Sequence, residues 1–137
     1  LLDATRRRFG HYVLLDCHSM PSVGGPHDPD AGKLRADIVL GDCFSSACSE
    51  PVIATIELAL KKRGYEVVRN KPFAGGFTTR HYGRPSQGLH AVQIEINRGL
   101  YMDETSIKSN GGMGKLTEDM KALLTDLADM DDSIFRL

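Results

Sequence analysis

The amino-acid sequence predicts an α/β fold, in which helices alternate with short buried strands. The runs YVLLDC (12–17) and DIVLG (37–41) are apolar and show no amphipathic alternation, which is typical of strands covered on both faces. Apolar residues at helical spacing in VIATIELALKKR, and again from Leu116 to Leu127, predict two amphipathic helices. The predicted order of helix, strand, strand, helix, strand, strand, helix indicates strands and helices packed in layers.

The first third of the chain contains a helix end, a strand and a long loop. The arginines at 6–8 precede Gly10, and cations followed by glycine are typical of a helix C-terminus. The strand that follows is expected to stop at His18. Residues 19–36 are rich in Pro, Gly and Asp, which predicts a structureless loop and a candidate lid.

The remaining elements are bounded by proline and glycine. Ser49 and the proline after it predict the start of a helix that ends at Gly64, and YEVVR (65–69) is a strand. Residues 72–85 are expected to be irregular because five glycines and prolines interrupt them. In LHAVQIEI (89–96) one face carries His and aliphatic residues, and the other carries the more polar set Ala91, Gln93 and Glu95.

Composition and charge exclude several classes of protein. The 137 residues carry 17 Lys and Arg against 18 Asp and Glu, so there is no basic excess to neutralise nucleic acid. No apolar run approaches the roughly 20 residues that cross a bilayer. Three cysteines without a CxxC pair predict neither a disulfide framework nor thiol chemistry. We expect one soluble, cytoplasmic domain, and the sequence leaves its oligomeric state open.

Asp16 and His18 form the first candidate site, at the end of a predicted strand, where open α/β sheets bind their ligands. Neutral imidazole is a good zinc ligand, but a catalytic zinc needs three protein ligands and one open position. Taken alone, the DxH pattern favours a histidine that is satisfied by a neighbouring carboxylate.

Glu95 is the second candidate. A glutamate at a strand end is commonly solvated or paired with arginine. Beside a metal and a water molecule, the same carboxylate can take a proton from water and pass it to a leaving nitrogen.

A third candidate is a set of polar and cationic residues near the glycine turns and the end of the Glu95 strand. Arginine binds carboxylates through two parallel hydrogen bonds, so the set suits an anionic substrate, with ordinary surface charge as the alternative. No phosphate-binding GxxxxGK or GxGxxG string occurs, so nucleotide binding is not expected. The members are Arg69, Asn70, Arg80, His81, Tyr82, Arg84, Arg98 and Tyr101.

Four segments, in order, together resemble the N-formylglutamate amidohydrolase family. They are LLDCHSMPS, DIVLGDCFSSACS, NKPFAGGFTTRHYG and HAVQIEINRGLYMD, and the resemblance spans roughly positions 1–125. It implies a mixed sheet flanked by helices, similar to zinc carboxypeptidases and aspartoacylases, with a single zinc ion. It also implies hydrolysis of the amide of a small N-acyl amino acid, in the simplest case N-formyl-L-glutamate to formate and L-glutamate.

The resemblance implies a role for each of seven residues. His18 matches a zinc ligand at a strand end, Asp16 orients its imidazole, and Glu95 matches the carboxylate that activates water. The implied substrate-binding residues are Arg80, Arg98, Asn70 and Tyr101.

The family pattern also includes an upstream histidine and acidic residue as zinc ligands, and residues 1–137 contain no such motif. Because Leu1 opens inside a predicted helix, we expect residues 1–137 to be the C-terminal part of a single amidohydrolase domain. The alternative is a non-catalytic remnant that binds a carboxylate metabolite or a partner chain.

Overall fold

A four-stranded mixed sheet organises the chain, and the computed structural model describes it within residues 1–135. Strand β4 lies between β1 and β2, parallel to β1 and antiparallel to β2, and β3 pairs in parallel with β2 at the far edge. The predicted α/β class and mixed sheet are confirmed, whereas similarity to the zinc carboxypeptidase fold stays a prediction. The strands are β1 (Tyr12–Met20), β2 (Ile38–Gly41), β3 (Val67–Arg69) and β4 (Leu89–Asn97).

Helices flank this sheet, and a short hairpin precedes the last of them. None of the helices within residues 1–135 is long and apolar enough to cross a membrane. The helices are α1 (Leu2–Phe9), α2 (Glu50–Lys62), α3 (Phe77–Tyr82) and α4 (Met113–Ala128), with 3₁₀ turns at Pro85–Gln87, Arg98–Leu100 and Asp132–Phe135. The hairpin pairs β5 (Met102–Asp103) with β6 (Lys108–Ser109).

The hydrophobic core lies on one face of the sheet, beneath α2 and α4. Val92 and Ile94 of β4 are fully buried there, together with Ile38 and Leu40 of β2. Complete burial of such a side chain contributes about 1.5–3 kcal/mol. Since alternate residues of a strand point to opposite faces, this burial turns Gln93 and Glu95 to the other face.

The second face of the sheet is polar and is approached closely by the turn at residues 74–76. A Cβ atom on Gly41 would lie 2.6 Å from the Gly75 backbone nitrogen, so only glycine permits this contact. Gly75 itself has φ of 114°, in the region that favours glycine. The turn leads directly into α3, which packs on β4.

The prediction that residues 12–17 form a strand covered on both faces is wrong. β1 continues to Met20, so His18 lies inside the strand, and Val13, Leu14 and Leu15 are only half-buried. Within residues 1–135, β1 pairs with β4 alone and is an edge strand. Apolar composition does not distinguish an edge position from a central one.

The connection after β1 is folded, contrary to the expected structureless loop. Val23 and Gly24 form isolated bridges to Leu34 and Ala31. The Arg35 guanidinium, only 1% exposed, bonds to both Asp28 and Asp30. Arg35 stands too far along the chain from these partners for local sequence patterns to predict the arrangement.

Residues 72–85 are also more regular than predicted, because they contain α3. Gly76 and Gly83 flank this six-residue helix, and Thr79 is fully buried within it. The glycines mark the ends of a short helix here, whereas their density predicted an irregular segment.

His90 is a titratable side chain buried on the core face of β4. It is 1% exposed, and its Nδ1 accepts a hydrogen bond from the Ser49 backbone N–H at 3.2 Å. Burial lowers the pKa of His90, and the nearby charge of His11 lowers the pKa further.

We predict that His90 makes folding stability sensitive to mild acid. Because the pKa is lower in the folded protein, this contribution is complete above about pH 6.5 and is lost as pH falls below it. The loss is at most about 1.4 kcal/mol per pH unit for one group. His90→Asn keeps an acceptor near the Nδ1 position and cannot titrate. Urea unfolding at about pH 7.5 and 5.5 should therefore show a smaller decrease for His90→Asn than for wild type.

The control for this experiment is His27→Asn, which changes an exposed loop histidine. It should keep the wild-type pH dependence. Equal pH dependence in wild type and His90→Asn would contradict the assignment.

A second prediction concerns the contact between Gly41 and the turn at residues 74–76. Gly41→Ala forces a methyl group against backbone atoms and should lower the free energy of unfolding by about 1–3 kcal/mol. Gly114→Ala is the matched control, because a Cβ atom there meets open space within α4. It should leave stability unchanged or raise it by up to about 1 kcal/mol. Equal effects of the two substitutions in thermal unfolding would show that the close approach is not a constraint.

Candidate functional site

The pairing of β1 with β4 brings His18 and Glu95 together. The two residues are direct partners in the parallel register. Paired strands lie about 4.8 Å apart and their partner residues point to the same face. The two side chains are therefore neighbours on one sheet face, although 77 positions separate them in the sequence.

His18 is oriented by Asp16, two residues earlier on the same face of β1. His18 Nε2 lies 3.2 Å from Asp16 Oδ1, and the His18 side chain is 50% exposed. A carboxylate on one ring nitrogen fixes the imidazole and leaves the other nitrogen available to a metal. The His18 imidazole thus has a carboxylate partner in Asp16, as the DxH pattern alone predicted, and its Nδ1 is available to a ligand.

Glu95 is a buried carboxylate, with 6% of its surface exposed. Gln93 Nε2 donates a hydrogen bond to Glu95 Oε1 at 2.7 Å. Within residues 1–135 no Lys, Arg or His forms an ion pair with Glu95. Glu95 is therefore neither a solvated glutamate nor one that is paired with arginine within residues 1–135.

The two predicted substrate-binding arginines, Arg80 and Arg98, lack an acidic partner within residues 1–135. Arg98 follows β4 directly and donates from Nε to Ser19 Oγ at 3.2 Å, and the Ser19 side chain alternates with that of His18 along β1. Arg80 on α3 donates from Nη1 to the Gly75 carbonyl at 3.3 Å. Neither guanidinium forms a salt bridge within residues 1–135, so both can bind an added carboxylate.

Other members of the polar set have structural partners. Arg69 pairs with Glu50 and Glu57, which occupies its guanidinium. Asn70 accepts from the backbone N–H groups of Asp42 and Phe44 and donates to the Asp42 carboxylate. These bonds hold residues 43–45, which all have positive φ.

Tyr101 does not join the polar face in this structure. It is half-buried and packs against the hydrophobic core. The structure thus brings together His18, Asp16 and Glu95 on one sheet face. The substrate roles of Arg80, Arg98, Asn70 and Tyr101 stay predictions.

The connection at residues 19–36 and the segment that leads into the turn at residues 74–76 approach each other beside the polar face. Asn97, on the same face of β4 as Glu95, donates from Nδ2 to the backbone carbonyls of Arg35 and Ala36. The Arg35 guanidinium stacks over Phe73, 5.0 Å from the ring centre, and Phe73 leads into the turn at residues 74–76. The role of residues 19–36 as a lid stays a prediction.

The thiols near this region are not activated. Burial raises the pKa of Cys43 and of Cys17, and it raises the pKa of Cys48 to about 12. Each thiol remains protonated near neutral pH, which agrees with the prediction of no thiol chemistry.

The donor set for a zinc ion is incomplete within residues 1–135. They contain no cluster of three or more His, Cys, Asp or Glu side chains able to hold a metal ion. His18 has the chemistry of one ligand, with an oriented imidazole and an available Nδ1, and Glu95 has that of a neighbouring proton acceptor. These two groups have the chemistry of part of a zinc site.

An apolar groove lies away from the polar face, between α1, β1 and α4. Its volume is about 430 Å³, and Phe9, Val13, Leu15 and Leu127 line it. Val13 and Leu15 alternate with Asp16 along β1 and belong to the core face. The groove is therefore separate from the chemistry of His18 and Glu95.

Sequence reasoning gave no role to Gln93, whose side-chain amide bonds to Glu95 in the structure. Its position two residues before Glu95 on an alternating strand placed it on the right face. That spacing was the available signal, but the hydrogen bond between the two side chains requires the structure.

Comparisons with known proteins agree with the geometry. The family model for N-formylglutamate amidohydrolase matches residues 1–102. The chain is 43% identical over 106 residues to an N-formylglutamate deformylase of Pseudomonas putida and 41% identical over 104 residues to one of Pseudomonas aeruginosa. These matches cover 76% and 75% of this chain but 38% of each relative.

Solved structures show the same fold. A crystal structure of an N-formylglutamate amidohydrolase from Ralstonia eutropha JMP134 superposes with a TM-score of 0.78 at 32% identity, covering 92% of this chain and 45% of that one. A gene product of Agrobacterium tumefaciens, at 24% identity and a TM-score of 0.56, shares the fold alone. Since the family model matches about three quarters of the sequence, and the segments that carry His18 and Glu95 lie inside the match, the chain belongs to the N-formylglutamate amidohydrolase family.

Proposed function

We propose that this chain supplies one half of a zinc-dependent amidohydrolase site, with His18 as a metal ligand and Glu95 as the catalytic carboxylate. The substrate is an N-acyl amino acid, in the simplest case N-formyl-L-glutamate, which is cleaved to formate and L-glutamate. The proposal is carried by one observation, the pairing of His18 with Glu95 on a shared polar face. The names of the relatives, which are N-formylglutamate deformylases, support the substrate.

The reaction needs a proton to move from water to nitrogen. Water adds to the formyl carbon, the carbon–nitrogen bond breaks, and the products are formate and the free amine. Glu95 accepts the proton from water and returns it to the leaving nitrogen, so one carboxylate serves both steps. Bound zinc supplies Lewis-acid chemistry, polarising the formyl carbonyl and lowering the pKa of water.

The rest of the site orients these groups. Asp16 holds the His18 imidazole so that Nδ1 faces the metal position. Arg80 and Arg98 bind the substrate carboxylates, because their guanidinium groups have no acidic partner within residues 1–135.

The number of ligands leads to a prediction for residues 1–137 alone. One histidine cannot hold a catalytic zinc as tightly as three converging side chains, so this chain should bind zinc weakly and hydrolyse little. Adding ahead of Leu1 the residues that precede the matched segment in the Pseudomonas putida relative should raise both zinc content and deformylase activity. Zinc content by mass spectrometry and formate release measure the two effects.

Glu95→Gln in the extended protein separates zinc binding from catalysis. It should retain zinc but lose turnover by about 10²–10⁴-fold, because the amide keeps the shape and cannot accept a proton. Glu118→Gln, which changes an exposed carboxylate on α4, is the control. An active Glu95→Gln variant would remove Glu95 from the mechanism, and full activity of residues 1–137 alone would show that the ligands are misassigned.

The extended protein also tests the alternative function. If it binds no zinc, a module that binds a carboxylate metabolite or a partner chain becomes the better account. The observation favouring that alternative is the single candidate histidine ligand within residues 1–135.

Substrate recognition gives a separate prediction. In the extended protein, Arg80→Lys and Arg98→Lys should each raise KM for N-formylglutamate by about tenfold to a hundredfold, because lysine keeps the charge but loses the paired hydrogen bonds. With N-formylalanine, the arginine that binds the side-chain carboxylate should have little effect. Arg7→Lys on α1 is the control. Unchanged KM in both variants with both substrates would exclude these two arginines from substrate binding.

A further inference from the structure

Gln93 and Glu95 form a buried polar pair on the sheet face that carries His18. Both side chains belong to residues less than one-tenth exposed, at 7% and 6%. Gln93 Nε2 donates to Glu95 Oε1 at 2.7 Å, which is a short hydrogen bond for a nitrogen donor. A carboxylate only accepts hydrogen bonds, so the amide nitrogen of Gln93 must face it.

The surroundings hold the Gln93 amide in this orientation. In the sheet register Gln93 lies between Asp16 on β1 and Gly41 on β2. Gly41 has no side chain, and the backbone of the turn at residues 74–76 fills the space above it. A Cβ atom on Gly76 would lie 3.4 Å from Gln93 Oε1, so that turn closes over the amide.

The amide is the only hydrogen-bond donor to the Glu95 carboxylate within residues 1–135. No cation pairs with the carboxylate there, and Oε2 receives no hydrogen bond from those residues. An amide donor stabilises the ionised carboxylate without offering it a proton. A lysine or arginine at position 93 would form an ion pair and weaken the base, whereas an apolar residue would leave a buried charge without a partner.

We propose that Gln93 is a positioning residue for the hydrolysis, which holds Glu95 by Oε1 so that Oε2 faces the reacting water. The inference rests on the proposed function and adds a residue to it. Gln93 does not touch the substrate, and it acts through the orientation of the Glu95 carboxylate. A hydrogen bond of this kind contributes to turnover more than to substrate affinity.

The first test is Gln93→Met in the zinc-loaded extended protein, since methionine has a similar length and lacks the donor. We expect kcat to fall by about tenfold to a hundredfold, while KM and zinc content stay within about twofold. Gln87→Met, which changes an exposed glutamine, is the control and should retain wild-type kcat. Unchanged kcat in Gln93→Met overturns the proposal, as does a fall in kcat that the loss of folded, zinc-bound protein fully explains.

The second test is Gln93→Glu, which places two carboxylates in contact. Such a pair holds one proton between them until the pH is raised. The acid side of the kcat/KM profile should therefore move to higher pH, with activity partly recovered under alkaline conditions. An unmoved profile overturns the proposal, because a residue with a purely structural role would lower activity at all pH values.

A spectroscopic test uses residues 1–137 alone. The side-chain amide resonances of Gln93 should shift in Glu95→Gln, while those of Gln87 stay in place. An unshifted Gln93 amide contradicts the contact.

Failure of the proposed function is distinguishable from failure of this inference. An extended wild-type protein that cleaves no N-formyl amino acid overturns both, whereas an active wild type with a fully active Gln93→Met overturns only the role of Gln93.

Discussion

The parallel pairing of β1 with β4 is the constraint on which the rest of the site depends. It places His18 opposite Glu95 in the register and sets Asp16 opposite Gln93. The register is held by burial of Val92 and Ile94 on the opposite face, because a shift of one residue would turn Glu95 toward the core. Packing of the apolar side of β4 thus determines the chemistry of its polar side.

The turn at residues 74–76 covers part of the polar face, where Glu95 is buried and has no ion-pair partner among residues 1–135. Glycine at positions 41 and 75 allows backbone to lie directly on the sheet beside Gln93, the hydrogen-bond partner of the buried Glu95. A buried carboxylate with a single amide donor is suited to accept a proton and release it again. Backbone packing and the Gln93 amide therefore hold Glu95 in a position suited to the proposed role, which is to activate water.

The sequence predicted the elements better than their arrangement. Alternation along β4 correctly placed Glu95 opposite the apolar face, and helical spacing predicted α2 and α4. The extension of β1 through His18 and the short helix α3 were missed, because an edge strand and a glycine-flanked turn of helix have weak local signals. The Gln93–Glu95 bond and the Arg35 contacts depend on side-chain geometry that no residue pattern carries.

The central claim is that His18 and Glu95 surround one zinc position. Anomalous diffraction at the zinc edge, on crystals of the zinc-loaded extended protein, tests it directly. The account predicts a zinc peak about 2.0–2.1 Å from a ring nitrogen of His18. Glu95 should not bind the metal directly but should lie close enough for one water molecule to bridge the two. A zinc ion bound by other residues, with His18 turned away or Glu95 on the far side of the sheet, would contradict the account.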